Sequence, residues 1–199
     1  SKGKQLTLGL ACLTAKQAHV LDAFKGDLNI RIRRLPPAVA SILGRRSGNL
    51  SMNGLKHLSA KAARRLMKHR GPIEMRGLKR ISLDAARALV RVKGGVELSG
   101  LESISAGVAT ELIKMPGCLD LSGLKEMSDG AAKALSACRN HVLLYRLRDL
   151  SSRQVAILLP KYVSRTLHVA ELGLVYEYME EAWREVRVSG RLSSRRDTA

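Results

Sequence analysis

The run Val96-Glu97-Leu98-Ser99-Gly100-Leu101-Glu102-Ser103-Ile104-Ser105 decides the fold, because the chain says it again. Twenty-three residues earlier stands Ile73-Glu74-Met75-Arg76-Gly77-Leu78-Lys79-Arg80-Ile81-Ser82; twenty-three later stands Leu119-Asp120-Leu121-Ser122-Gly123-Leu124-Lys125-Glu126-Met127-Ser128. A fixed short period makes each copy one unit of a stack. Seven units align, with cores beginning at Leu6, Leu28, Leu50, Ile73, Val96, Leu119 and Val142. Each core reads apolar-x-apolar, the two-residue period of a short strand. Gly54, Gly77, Gly100 and Gly123 follow the strand in units three to six, and a recurring glycine there is read as supplying a backbone angle closed to other residues. Arg146 takes that place in unit seven, where a different turn is expected.

After each turn come an apolar anchor and then Thr14, Pro36, Ser59, Ser82, Ser105, Ser128 or Ser151. Ser and Thr are natural helix N-caps, and Pro36 suits an early helical position. Small pairs with a large residue three later follow: Ala62-Ala63-Leu66, Ala85-Ala86-Leu89, Val108-Ala109-Leu112 and Ala131-Ala132-Leu135. That is one apolar stripe at helical spacing. Gly44, Gly71, Gly94 and Gly117 end or follow the helices. From Lys161 the period decays. Leu167-His168-Val169 reads as a final strand, Glu171 to Val188 as a helix closing the last unit, and residues 189–199 as a disordered basic tail.

Strand, glycine turn, helix and return within 22 or 23 residues resembles the leucine-rich repeat. The resemblance covers about residues 6–160. It implies a right-handed α/β solenoid of about seven units, with a short-stranded parallel sheet lining a concave face and helices on the convex one. The domain reading is then a solenoid over 1–160, a capping strand and helix over 161–188, and the tail over 189–199. One departure stands out. The family's usual loop Asn is replaced by Leu10, Ile32, Leu55, Leu78, Leu101, Leu124 and Leu147.

The totals bound the rest. Aromatics make up only 3% of the chain, so the core is built from Leu, Ile, Val, Met and Ala. Cys12, Cys118 and Cys138 are an odd set without CxxC spacing, which argues against disulfides or zinc and favours an intracellular, reducing compartment; Cys118 and Cys138 are read as reduced thiols, packed or nearly so. No apolar run is long enough to span a membrane. The chain opens Ser1-Lys2-Gly3-Lys4 without Met, so it is expected to be trimmed from a longer one. Its uncapped N-terminal end is expected either to have carried a further domain or to pair with another chain.

The formal charge of +18 is concentrated: residues 28–93 hold 17 Lys and Arg against Glu74 and Asp84. Asymmetry of this kind concerns partners rather than fold. Loop positions before the helices carry Arg33, Arg34, Lys56, His57, Lys79 and Arg80, beside helix N-termini that also favour anions. Outward strand positions add Arg31 and Arg76, and outer helix positions add Arg64, Arg65 and Lys68. These residues are the candidate interface, for an acidic protein surface in the leading reading. The alternative is non-specific binding of nucleic acid or another polyanion by the same patch, where scarce aromatics argue against base reading. A second candidate is an acidic spot, Glu74, Glu97 and Asp120, stacked on the concave face to meet a basic group or cation. The five histidines share no metal spacing and no nucleotide or triad motif appears. The expectation is therefore a binding scaffold without catalytic residues, metal or cofactor.

Overall fold

The computed structural model describes residues 4–147, 150–163 and 167–168. Among them short strands and helices alternate: β1 (Gln5–Leu8), α1 (Ala15–Asp22), β2 (Asp27–Ile30), α2 (Pro37–Leu43), β3 (Leu50–Ser51), α3 (Ala60–Leu66), β4 (Ile73–Glu74), α4 (Leu83–Leu89), β5 (Val96–Glu97), α5 (Ala106–Leu112), β6 (Leu119–Asp120), α6 (Asp129–Ser136), β7 (Val142–Leu143), α7 (Ser152–Val163) and β8 (Leu167–His168). Every strand pair is parallel, and within each sheet neighbours in sequence pair with one another. The register Leu6↔Leu28↔Leu50↔Ile73↔Val96 is the alignment that the repeat predicts. The capping helix expected over 171–188, the tail over 189–199 and Val169 lie outside the described residues. α7 runs on to Val163, past the boundary expected at residue 160.

Helices of seven or eight residues do not hold alone in water. Two local devices and one packing device hold them here. Thr14, Ser59, Ser82, Ser105 and Ser128 each accept the backbone N–H three residues on, as N-caps do. Thr14 and Gln17 complete a reciprocal capping box, and Ser151 and Gln154 repeat it. Pro36 occupies the cap itself, with no side-chain bond, and Pro37 is the first helical residue. The predicted small pairs and their large partners are buried, with Ala62, Ala63, Leu66, Ala85, Ala86, Leu89, Ala109, Leu112, Ala131, Ala132 and Leu135 all at 0% exposure. Each helix thus packs closely on the next and shares one apolar core with the strands.

The turn glycines do a different job from the one the sequence suggests. Among the described glycines only Gly95 and Gly117 have positive φ, both 81°. At Gly77, Gly100 and Gly123 an added Cβ would overlap the carbonyl oxygen of Asn53, Arg76 or Ser99 in the preceding unit. The constraint is close approach of stacked turns, not backbone angle. In unit seven Arg146 stands in the glycine's place, and residues 145–146 still form a turn. The position of the family's Asn holds buried apolar side chains, from Ile32 through Leu124, and the backbone closes the turn itself: Leu55, Leu78, Leu101 and Leu124 N–H each donate to the carbonyl three residues back.

The sheet is not continuous. β1 to β5 form one sheet and β6 to β8 another. The helices and turns still meet across the divide: α5 packs on α6, and Lys125 N–H donates to the Glu102 carbonyl at 3.1 Å. What changes is the return loop. At Gly48, Gly71 and Gly94 a Cβ would strike the glycine carbonyl of the unit before, whereas Gly117 has nothing within 4 Å. The column of touching glycines and the strand ladder stop together. Cys12 and Cys118 are exposed and Cys138 is buried, so of the two thiols expected to be packed or nearly so, Cys138 is and Cys118 is not. Among the described residues no helix is long and apolar enough to cross a membrane.

One column closes each unit after its helix: Phe24, Arg46, His69, Val92, Met115 and Cys138. Its two polar members make the same pair of contacts. Arg46 donates to the carbonyls of Leu21 and Phe24 and, at 2.8 Å, to that of Gly26. His69, at 0% exposure, sets Nδ1 3.1 Å from the Leu43 carbonyl and Nε2 3.0 Å from that of Gly48. Each side chain therefore ties the end of the preceding helix to the following loop. Burial pushes the His69 pKa down; the two carbonyls oppose that shift and the Arg46 charge adds to it. A lowered folded pKa means that the unfolded chain binds the proton first as pH falls. His69 should accordingly contribute a loss of stability as pH drops below about 6.5, the ordinary histidine value. Urea unfolding between pH 8 and pH 5 checks this: the slope against pH should flatten in His69→Ala, and an unchanged slope would refute it.

Candidate functional site

The outward positions of the sheet form a row of Thr7, Asn29, Ser51, Glu74 and Glu97 in register. Asp120 opens the second sheet, so the expected ladder of three carboxylates breaks after Glu97. The acids are already engaged. Glu74 accepts from Asn49 at 3.1 Å and Asn53 at 3.4 Å, and these bonds, Asn49 first, hold its carboxyl below the usual range against partial burial. The Arg76 guanidinium reaches Glu97 at 2.8 Å and Glu74 at 3.9 Å. Asp120 accepts from the backbone N–H and hydroxyl of Ser122. Arg76 thus fills the place that a cationic partner would take at Glu74 and Glu97.

The basic rim is built by backbone bonds between successive loops. Lys56 N–H donates to the Arg33 carbonyl at 2.9 Å, Arg34 and His57 form a parallel bridge, and Glu102 N–H donates to the Lys79 carbonyl at 2.9 Å. Bonded chains run roughly 4.8 Å apart, so equivalent side chains stand one strand spacing from each other. Farther along, Glu102 lies between Lys79 at 2.7 Å and Lys125 at 3.2 Å. Those two ammonium groups, Lys79 first, hold its carboxyl below the ordinary range.

The candidate cations therefore divide. All eleven are exposed. Arg76 and Lys79 carry counter-charges on the neighbouring unit, so they leave the uncompensated surface. Arg31, Arg33, Arg34, Lys56, His57, Arg64, Arg65, Lys68 and Arg80 have no ion pair among the described residues. For all of these except Arg80 the reason is in the chain: no Asp or Glu occurs between Asp27 and Glu74. Where acids return, helix-face cations find them, as Arg87 does at Glu111 (3.2 Å) and Arg153 at Asp129 (3.3 Å).

Two placements went unread in the sequence. Arg45 joins Arg64, Arg65, Lys68 and Ser41 around one groove on the helix side. Arg46, its neighbour, is only 6% exposed and belongs to the structural column. Their 23-residue spacing could have flagged Arg46 and His69, since the same position is apolar in later units. Among the described residues no group of three or more His, Cys, Asp or Glu could hold a metal ion. Comparison with protein-family models, curated proteins and solved structures gave no match.

Proposed function

We propose that this chain is a non-enzymatic binding scaffold, a right-handed solenoid of leucine-rich-repeat-like units, whose basic rim takes an acidic segment of a protein partner. The observation that carries this reading is the row Arg33, Arg34, Lys56, His57 and Arg80, exposed and without counter-charge, beside units whose equivalent charges are paired. Three loops at about 4.8 Å spacing give a row roughly 10–15 Å long. That matches three or four residues of extended chain and is short for the many phosphate contacts that make nucleic-acid binding strong.

A second reading, a nucleic acid or another polyanion on the same rim, is favoured by a different observation. Protein interfaces centre on apolar or aromatic anchors, yet the exposed large hydrophobic residues among those described are Val20 and Tyr145, both outside units two to four. One experiment separates the two. A fluorescent Asp/Glu-rich peptide and duplex DNA and RNA are titrated across 50–200 mM salt. The peptide should bind, and the double reversal Arg33→Glu/Arg34→Glu should weaken it at least about tenfold, since hydrogen bonds to charged groups contribute roughly 1.5–3 kcal/mol each. A duplex that binds more tightly than the peptide, with a steep salt slope removed by the same reversal, would replace the first reading with the second. No binding of either at 50 mM salt would remove both.

A further inference from the structure

The groove between α2 and α3 lies on the helix side of the stack, away from the rim loops, and has a volume of about 400 Å³. Its lining is Ser41, Arg45, Arg64, Arg65 and Lys68. Gly44 ends α2, and a Cβ there would overlap the Arg65 carbonyl oxygen. The bare glycine lets the end of α2 approach the α3 backbone, so that Arg45 shares one groove with the cations of α3. Ser41 already donates its hydroxyl to the Pro37 carbonyl at 3.1 Å. The other residues around the groove carry three guanidinium groups and one ammonium on aliphatic stems.

Four like charges around one groove repel each other, and none of them makes an ion pair among the described residues, although Asp22 lines a neighbouring cleft with Arg45. Arg64 and Arg65 lie in the last turn of α3, where the helix dipole favours cations by about 0.3–1 kcal/mol. That explains their presence only in part, and it does not explain Arg45 or the missing acids. Two helices along, the same face is neutralised: Arg87 reaches Asp84 at 3.6 Å and Glu111 at 3.2 Å, and Glu111 also holds Lys114 at 2.7 Å. The α2–α3 groove is where this pattern of compensation fails.

We propose that this groove binds a compact polyphosphate, a ligand with two or three phosphate groups joined on a small scaffold. Arginine forks pair with phosphate oxygens two bonds at a time, and lysine adds a point charge. The volume lies within the roughly 300–1,000 Å³ usual for small-ligand sites, while the cationic lining selects a ligand that is ionic throughout. The charges surround a single groove instead of following a line, which favours a compact anion over a nucleic-acid strand. The proposal is independent of the rim reading, because none of its residues belongs to the rim row.

The probe is sodium tripolyphosphate, titrated calorimetrically into the full chain at 150 mM NaCl, with orthophosphate and duplex DNA as the other arms. One tripolyphosphate per chain is expected, with a saturating rise in Tm and orthophosphate at least about a hundredfold weaker. Arg64→Gln and Lys68→Gln, both at exposed positions, should each weaken binding about tenfold or more. Arg33→Glu/Arg34→Glu should leave it unchanged. Absence of tripolyphosphate binding in the folded protein would overturn the proposal. So would equal loss through the Arg33/Arg34 reversal, or duplex DNA binding more tightly than tripolyphosphate through Arg64 and Lys68.

Discussion

Leu78→Ala should lower folding stability by about 2–5 kcal/mol, the range for emptying a buried leucine site. The measurement is urea unfolding, read as a lower midpoint at unchanged slope. Leu78 is fully buried in a column with Ile32, Leu55, Leu101 and Leu124, each at 0% exposure. A stack this thin has little means of closing a cavity, because each unit touches only its neighbours. Leu78→Asn sharpens the result, since it introduces the residue that leucine-rich repeats usually carry at the position this loop resembles. Here the Leu78 N–H already closes a turn on the Met75 carbonyl at 3.1 Å, and the site around the side chain is apolar. A buried amide without partners costs more than its shape recovers, so Asn should be at least as damaging as Ala. If Leu78→Asn stayed within about 1 kcal/mol of the native chain, well under the Ala range, an asparagine ladder of the family kind would form after all and the apolar-loop account would fall.

Gly100→Ala should destabilise by about 3 kcal/mol or more, at or beyond the upper end of usual overpacking. The added methyl would land on the Arg76 carbonyl oxygen and its carbon, and these are backbone atoms with nowhere to go. Arg76 is held from both sides: its N–H donates to Asn53 Oδ1 at 3.0 Å, and its guanidinium is paired to Glu97. The contrast is Gly107→Ala in α5. There the nearest atom, Leu83 Cδ1, would stand 3.6 Å away, and a helix-interior alanine gains about 0.5–1 kcal/mol over glycine. The two substitutions are chemically identical and opposite in expected sign. Thermal unfolding of both measures the difference, and equal effects would show that turn stacking does not set the role of Gly100.

The repeat made the architecture legible residue by residue. A 23-residue period aligns Leu50, Ile73 and Val96, and these residues pair in the parallel ladder. The capping serines and alanine pairs were equally readable, because a cap and an apolar stripe are local consequences of residue type. The turn glycines were visible, but their cause was not. Glycine can serve an unusual φ or a close neighbour, and only coordinates separate the two. Charge was legible as a total and not as a pattern of compensation. Arg76 and Lys79 look like Arg33 and Lys56 in sequence, yet the first two meet Glu97 and Glu102 one unit on. Arg46 entered the sequence reading only within the charge of residues 28–93, because burial of an arginine is decided by three carbonyls of the preceding unit.

The divide between β5 and β6 bears on how the chain holds itself together under load. In a linear array, cooperativity passes through each junction in turn, and this junction is carried by helix packing and turn bonds with no strand ladder. Bending concentrates where a joint has one face fastened and the other free. Gly117 therefore marks the junction with the fewest backbone links on the strand side, where helix packing and the turns carry the connection. The charges of units two to four that make no ion pair among the described residues all lie within the five-stranded part, on the side of that junction where the ladder is unbroken.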